Sequence, residues 1–153
     1  MPKTVIITDT SCLIALSKAD TLDVLPQLYH RIIVTEEIAE EFGEQLPSWV
    51  EIVPVVEKKY QQLMESLLDK GEASTIALAV TLGDVLLIMD DLKARKEAKR
   101  LGFKVTGTLG VLFSAKQKGI IPALRPVIDR LLFADFRISP QIVSELLTLS
   151  NEM

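Results

Sequence analysis

Cysteine, histidine and tryptophan each occur once in these 153 residues, and aromatic side chains make up only 5%. A lone Cys12 excludes an internal disulfide and a cysteine-based zinc site, which fits a reducing, cytoplasmic setting. A lone His30 excludes a multi-histidine metal site and a histidine-rich catalytic centre. So few aromatics provide no platform for stacking bases, and Trp49, beside Pro47 and Ser48, reads as a loop anchor or interface residue. Seventeen basic residues face 21 acidic ones, and a net charge of −4 argues against holding nucleic acid by bulk charge alone. The longest weakly charged stretch, Ala73 to Met89, carries Gly83 and Asp84 and falls short of a membrane span. Met1-Pro2-Lys3 leads into an apolar run that meets Asp9 before any cleavage-like site, so no secretion signal is expected. Chemistry is left to carboxylates, hydroxyls, backbone groups and basic side chains.

The length suits one compact unit with a single core. Short apolar runs alternate with helical stretches, the pattern of an α/β sandwich in which a mostly parallel sheet of four to five strands is wrapped by helices. Strands are expected at Val5–Ile7, Arg31–Val34, Val50–Val56, Val85–Met89 and Phe103–Val105, with Pro54 confining the third to an edge. Ser11 is the expected cap of the first helix and Thr35 that of the helix from Glu36 to Phe42, which stops at Gly43. A helix over Lys58–Leu68 is broken at Gly71, and a new one starts at Glu72 and runs to Leu82. Residues 1–121 read as the core of the domain, and 122–153 as a helical extension of it with helices at Ala123–Leu132 and Pro140–Leu149.

In open parallel sheets the ligand crevice lies beyond the carboxyl ends of the strands. Asp9 and Asp90 each follow an apolar strand and point to that edge, Glu72 opens a helix after Gly71, and Glu41 lies on the helix after the second strand. Singly, each acid is equally well read as a turn residue or a helix cap. Together they repel, at roughly 1–4 kcal/mol per close pair. A hard divalent cation such as Mg²⁺ or Mn²⁺ reverses that sign and can activate water against a phosphodiester.

Val5-Ile6-Ile7-Thr8-Asp9-Thr10-Ser11, Glu41-Phe42, Gly71-Glu72-Ala73, Met89-Asp90-Asp91, Ala94-Arg95 and Gly107-Thr108 together resemble the successive motifs of PIN-domain proteins, from about Val5 to Ile121. The resemblance is closest to the prokaryotic branch that includes VapC-type toxins of toxin–antitoxin pairs. It implies a metal-dependent endoribonuclease with Asp9, Glu41, Glu72 and Asp90 as the catalytic acids. Asp9, Asp90 and Glu72, with Asp91 as a further candidate, would hold Mg²⁺ or Mn²⁺; Ser11, Arg95 and Thr108 would contact substrate. Glu40 competes with Glu41, which lies three positions after Ile38, where the family pattern places its acid. An RNA substrate, an antitoxin partner and a homodimer are further implications.

Between Asp91 and Lys104 six basic residues outnumber two acids, and Lys93, Lys96 and Arg100 share one helical side, a basic rim for phosphates or a solvated face. Of Glu36, Glu37, Glu40, Glu41 and Glu44, four are expected to be exposed and one turned inward. The C-terminal stripe Ile142, Val143, Leu146, Leu147 and Leu149 suits docking on its own domain or a partner. A non-catalytic PIN-like module acting through a protein or RNA partner competes with the nuclease, given glutamate where aspartate is an alternative at position 72. A phosphatase or receiver-like reading of Asp9 ranks lower, because Asp9-Thr10-Ser11 lacks a second aspartate two residues on and no lysine follows a late strand.

Overall fold

A computed structural model describes residues 4–152, so the Met1-Pro2-Lys3 start lies outside the described residues. β1 (Val5–Thr8), β2 (Arg31–Thr35), β3 (Val50–Val53), β4 (Leu86–Ile88) and β5 (Lys104–Thr106) form one sheet in the order β3-β2-β1-β4-β5. All four pairings are parallel, so the sheet is wholly and not merely mostly parallel. β3 ends before Pro54 and occupies an edge, where a residue without an N–H costs no ladder bond.

The unbroken apolar runs of the central strands follow from burial on both faces. Ile6, Ile32, Val34 and Ile88 point to one side, against α1 (Thr10–Lys18), α2 (Val24–Leu28), α7 (Thr108–Gln117), α8 (Arg125–Phe133) and α9 (Pro140–Leu149). Ile7, Ile33 and Leu87 point to the other, against α4 (Lys58–Met64), α5 (Lys70–Leu82) and α6 (Leu92–Arg100). The period of two along each strand thus sorts neighbouring residues into two cores, an α/β/α sandwich. α3 (Glu36–Phe42) buries Ile38 and ends on Gly43 in the left-handed region.

Local chemistry moves several expected boundaries. The N-cap of α1 is Asp9 and not Ser11, because its Oδ1 accepts the Cys12 N–H at 2.9 Å from the cap position. α4 ends at Met64, four residues short of Leu68, and the chain turns through 65–67 with Ser66 Oγ donating to the Leu63 carbonyl. Gly71 does not break the helix. α5 starts one residue before it, capped by Asp69 in a reciprocal box with Glu72. β4 loses a residue at each end and β5 is shifted by one relative to expectation, and α8 starts two residues later than expected, at Arg125, and ends one later, at Phe133.

The C-terminal stripe divides. Leu147 is buried on the first core with Val143 and Leu146 beside it, whereas Ile142 and Leu149 are exposed, as is Phe133 at 92%. Trp49 packs against the same core.

Candidate active site

The order β2-β1-β4 makes the β1/β4 boundary the place where connections leave in opposite directions, the crevice-forming point of an open parallel sheet. Thr8 pairs with Ile88, so the next residues on the two strands, Asp9 and Met89-Asp90, emerge side by side at the carboxyl edge. The Asp9 N–H still bonds the Ile88 carbonyl at 3.1 Å. Cys12, one turn into α1, ties the two acids together: its N–H donates to Asp9 Oδ1, and its thiol donates to Asp90 Oδ2 at 3.4 Å. Burial, then the charges of Asp9 and Asp90, hold that thiol protonated well above the usual range, as a donor must be.

Asp90 is fixed from the other side by α7. The Thr108 N–H donates to Oδ1 at 2.9 Å and its hydroxyl to Oδ2 at 2.7 Å, so Asp90 serves that helix N-terminus as a remote cap. Gly107 makes this approach possible, since a β-carbon there would stand 2.5 Å from Asp90 Oδ1 and 2.7 Å from Arg95 Nη1. The Arg95 guanidinium is anchored beside Asp90 by donation to the Met89 carbonyl at 3.1 Å.

Next to Asp9 lies a recess of about 50 Å³ walled by Asp9, Thr10, Ser11, Ile38, Glu41, Asp69 and Glu72. The structure therefore brings Asp9, Ser11, Glu41 and Glu72 into one small space. Asp90 is not on its wall and joins it through Cys12, while Asp91 caps α6 by accepting the Ala94 N–H at 2.9 Å. Glu41 accepts from the Thr10 hydroxyl at 2.8 Å and lies across Gly71. Glu40 faces a neighbouring groove with Glu37 and Lys70 instead. The inward-turned acid of α3 is neither of these but Glu37, whose carboxylate accepts from Gln61 at 2.8 Å and pairs with Lys58. Its pKa is lowered: burial opposes ionisation, and the bonds from Gln61 and the Lys58 charge outweigh it.

Asp69, Thr10 and Cys12 belong to this site without being singled out by the sequence. The Asp69-x-x-Glu72 spacing is a capping-box signature that marks Asp69; nothing local marks Cys12, whose contact to Asp90 spans 78 positions.

Crowding of like charge in a dry place shows in the protonation of these acids. Burial raises Asp9 from an ordinary 3.8 to about 6 against its bond to Cys12, and the charges of Asp90 and Asp69 add to the rise. Glu72 is raised from 4.5 to about 7, first by burial, then by Asp69, Asp91 and Asp9. An all-oxygen, mutually repelling donor set is what a hard divalent cation favours. The side chains are not already closed round one point: among the described residues no three His, Cys, Asp or Glu form a ready cation site.

The tightness of the recess gives a direct prediction at Gly71. A β-carbon there would overlap the Glu41 carboxylate and sit 2.9 Å from Ile38 Cδ1. Overpacking of about 1–3 kcal/mol outweighs the roughly 0.5–1 kcal/mol an alanine gains in a helix. Gly71→Ala should lower Tm by about 2–4 °C in a thermal melt and push Glu41 off Thr10; an unchanged or higher Tm contradicts this packing.

No curated protein matches the chain. A family model described as a PIN domain matches residues 5–152, running on through the two C-terminal helices. That match spans nearly the whole chain and agrees with the five-stranded parallel sheet and its flanking helices. The chain belongs to the PIN-domain family.

Proposed function

We propose that this protein is a Mg²⁺- or Mn²⁺-dependent endoribonuclease that hydrolyses RNA phosphodiester bonds, acting in the cytoplasm as the toxin of a toxin–antitoxin pair. PIN domains are in general nucleases. The observation that carries the reading is the emergence of Asp9 and Asp90 one register step apart at the β1/β4 switch point, tied together by Cys12, with Glu72 and Asp69 crowding Asp9. Asp9, Glu72 and Asp90 are the residues that would hold the cation, with Asp91 as an outer partner whose Oδ2 is already occupied by the α6 N-terminus. When bound, the cation neutralises phosphate charge and lowers the pKa of a water.

The protein's own groups set up that chemistry. Cys12 and Thr108 hold Asp90 in a fixed orientation, and Thr108 spends both its donors there, so its role is positioning. Glu41, exposed and held by Thr10, stands across the recess to take a proton or orient water. Ser11, exposed on the recess wall, and Arg95, beside Asp90, are placed to meet phosphate oxygens. The exposed apolar side chains Phe133, Ile142 and Leu149 suit a protein partner, either an antitoxin or a second copy of the chain. No helix among the described residues is long and apolar enough to cross a membrane.

Purified protein should cleave a labelled RNA pool when Mn²⁺ or Mg²⁺ is added and stop when EDTA is added; absence of cleavage with either metal overturns the reading. One observation favours a second reading, a non-catalytic PIN module: the carboxylates are not gathered into a three-donor site. Calorimetry separates the two, because a module without a metal centre takes up no Mn²⁺ at millimolar concentration.

A further inference from the structure

One acid of the recess stands outside the set that the sequence motifs supply. Asp69 shares the wall with Asp9, Glu41 and Glu72, and no lysine or arginine lines that wall. Lys70, the next residue in the chain, faces the neighbouring groove with Glu37 and Glu40. Asp69 has no ion-pair partner among the described residues. Its evident task is to cap α5, where its Oδ1 accepts the Glu72 N–H at 2.8 Å. Capping does not require the charge, because asparagine and serine cap as well as aspartate. The attraction of the α5 N-terminus for an anion does not require it either, since Glu72 already stands in the first turn. A further negative charge among carboxylates is a cost that a neutral cap avoids.

The hydrogen bonds of the recess also decide which oxygens are left for a ligand. Asp69 Oδ1, Glu72 Oε1 and Glu41 Oε1 accept from the Glu72 N–H, the Asp69 N–H and the Thr10 hydroxyl, while Asp69 Oδ2, Glu72 Oε2 and Glu41 Oε2 take no donor among the described residues. Asp90, by contrast, has both oxygens engaged, Oδ1 by the Thr108 N–H and Oδ2 by the Thr108 hydroxyl and the Cys12 thiol. Asp69 is therefore held by one oxygen and keeps the other for a ligand. The reciprocal capping box fixes it to Glu72, so the two acids stand in a set relation at one rigid helix start. The recess holds about 50 Å³, room for a small ion with a few of its waters and far below the roughly 300 Å³ of small-molecule sites. Resting on the metal-dependent reading above, we infer that Asp69 is a further residue of the cation site, an α5 cap whose second oxygen holds a hard divalent cation or a water bound to it. That role accounts for an aspartate at a position where capping is indifferent to charge.

The test is Mn²⁺ binding to the intact chain by calorimetry at pH 8, with thermal melts in EDTA and RNA cleavage measured separately. Asp69→Asn keeps the cap and removes the charge. Loss of a residue that supports a metal site costs about 10–100-fold in affinity, so the Kd for Mn²⁺ should rise by that factor. The Tm in EDTA should lie no more than about 2 °C below the parent, since the cap is intact. Asp69→Ser, a second neutral cap, should behave alike. Asp129→Asn, the same charge change at an exposed position of α8, should leave the Kd within about twofold, because salt screens a distant exposed charge. If the parent binds Mn²⁺ and Asp69→Asn binds it equally tightly, Asp69 is a cap only, and the proposal is overturned while the nuclease reading stands. If the Kd rises as stated but the parent cleaves no RNA, Asp69 keeps its place at the cation and the nuclease reading fails. A parent that takes up no Mn²⁺ overturns both. Equal weakening in Asp129→Asn reduces the effect to bulk charge, and a fall in Tm beyond about 4 °C in both neutral caps makes Asp69 a purely structural residue; either result overturns the proposal.

Discussion

Replacing Asp9 and Asp90 together by asparagine should abolish metal-dependent RNA cleavage and leave a folded, monodisperse chain. The shape of both side chains is kept: an asparagine at position 9 can still cap α1 by accepting the Cys12 N–H, and one at position 90 can still accept from Thr108 through its amide oxygen. What disappears is negative charge at the two residues whose strands meet at the crevice. A bound cation contributes several kcal/mol to phosphoryl-transfer transition states, and about 3 kcal/mol already corresponds to more than a hundredfold in rate. The double variant should therefore fall at least about 10²-fold below the parent in Mn²⁺, measured on a labelled RNA with the circular dichroism spectrum unchanged. Cleavage within a few-fold of the parent would place the chemistry elsewhere in the molecule.

Much of this arrangement is legible before any coordinates. Val5-Ile6-Ile7 and Val85 to Met89 are apolar without alternation, which dictates burial on both faces and hence a parallel sheet, and an acid directly after such a strand must appear at its carboxyl edge. The adjacency of β1 and β4 is a different matter. It joins strands far apart in the chain, with β2 and β3 between them in sequence, and no local signal states which strand lies beside β1. Helix phase is the other weak link. Ser11 and Asp9 are both good caps, and only the backbone conformation at residue 9 decides between them; Gly71 looks like a stop until Glu41 is seen lying across it. On α3, Glu37 is the acid that turns inward because Gln61 and Lys58, on the later helix α4, are there to receive it. These are long-range facts of packing, and local patterns carry no record of them.

In metal-free buffer above pH 7, Asp9→Asn alone should make the protein more stable. Asp9 holds its proton to about pH 6 when folded, against 3.8 ordinarily, so between those values the folded state binds more protons than the unfolded one. The contribution of Asp9 to stability then falls as pH rises from about 4 to 6 and stays low above, the reverse of an acid whose pKa is depressed by a salt bridge. Two pH units at 1.36 kcal/mol each amount to about 3 kcal/mol lost by the parent through this buried, 4%-exposed carboxylate. Glu72 acts in the same direction with a smaller effect, since its carboxylate is only half-buried and water screens it. Asparagine keeps the cap and carries no charge, but gives up about 0.3–1 kcal/mol of attraction between a carboxylate and the α1 N-terminus. The balance is a gain of about 2 kcal/mol, or roughly 4–8 °C in Tm at pH 8 in EDTA, shrinking towards nothing at pH 4. Saturating Mn²⁺ should invert the order. Binding at a hundred times Kd stabilises the parent by about 2.7 kcal/mol, and the variant, short of a ligand, gains little. Thermal melts at pH 4, 6 and 8, with EDTA and with Mn²⁺, read all of this without any RNA. A parent more stable than Asp9→Asn in EDTA at pH 8 would show that Asp9 is paired rather than crowded. Both proteins responding alike to Mn²⁺ would remove Asp9 from the metal centre, so the stability of this edge is linked to function by one measurable sign: the charge that destabilises the empty protein is the charge that the cation needs.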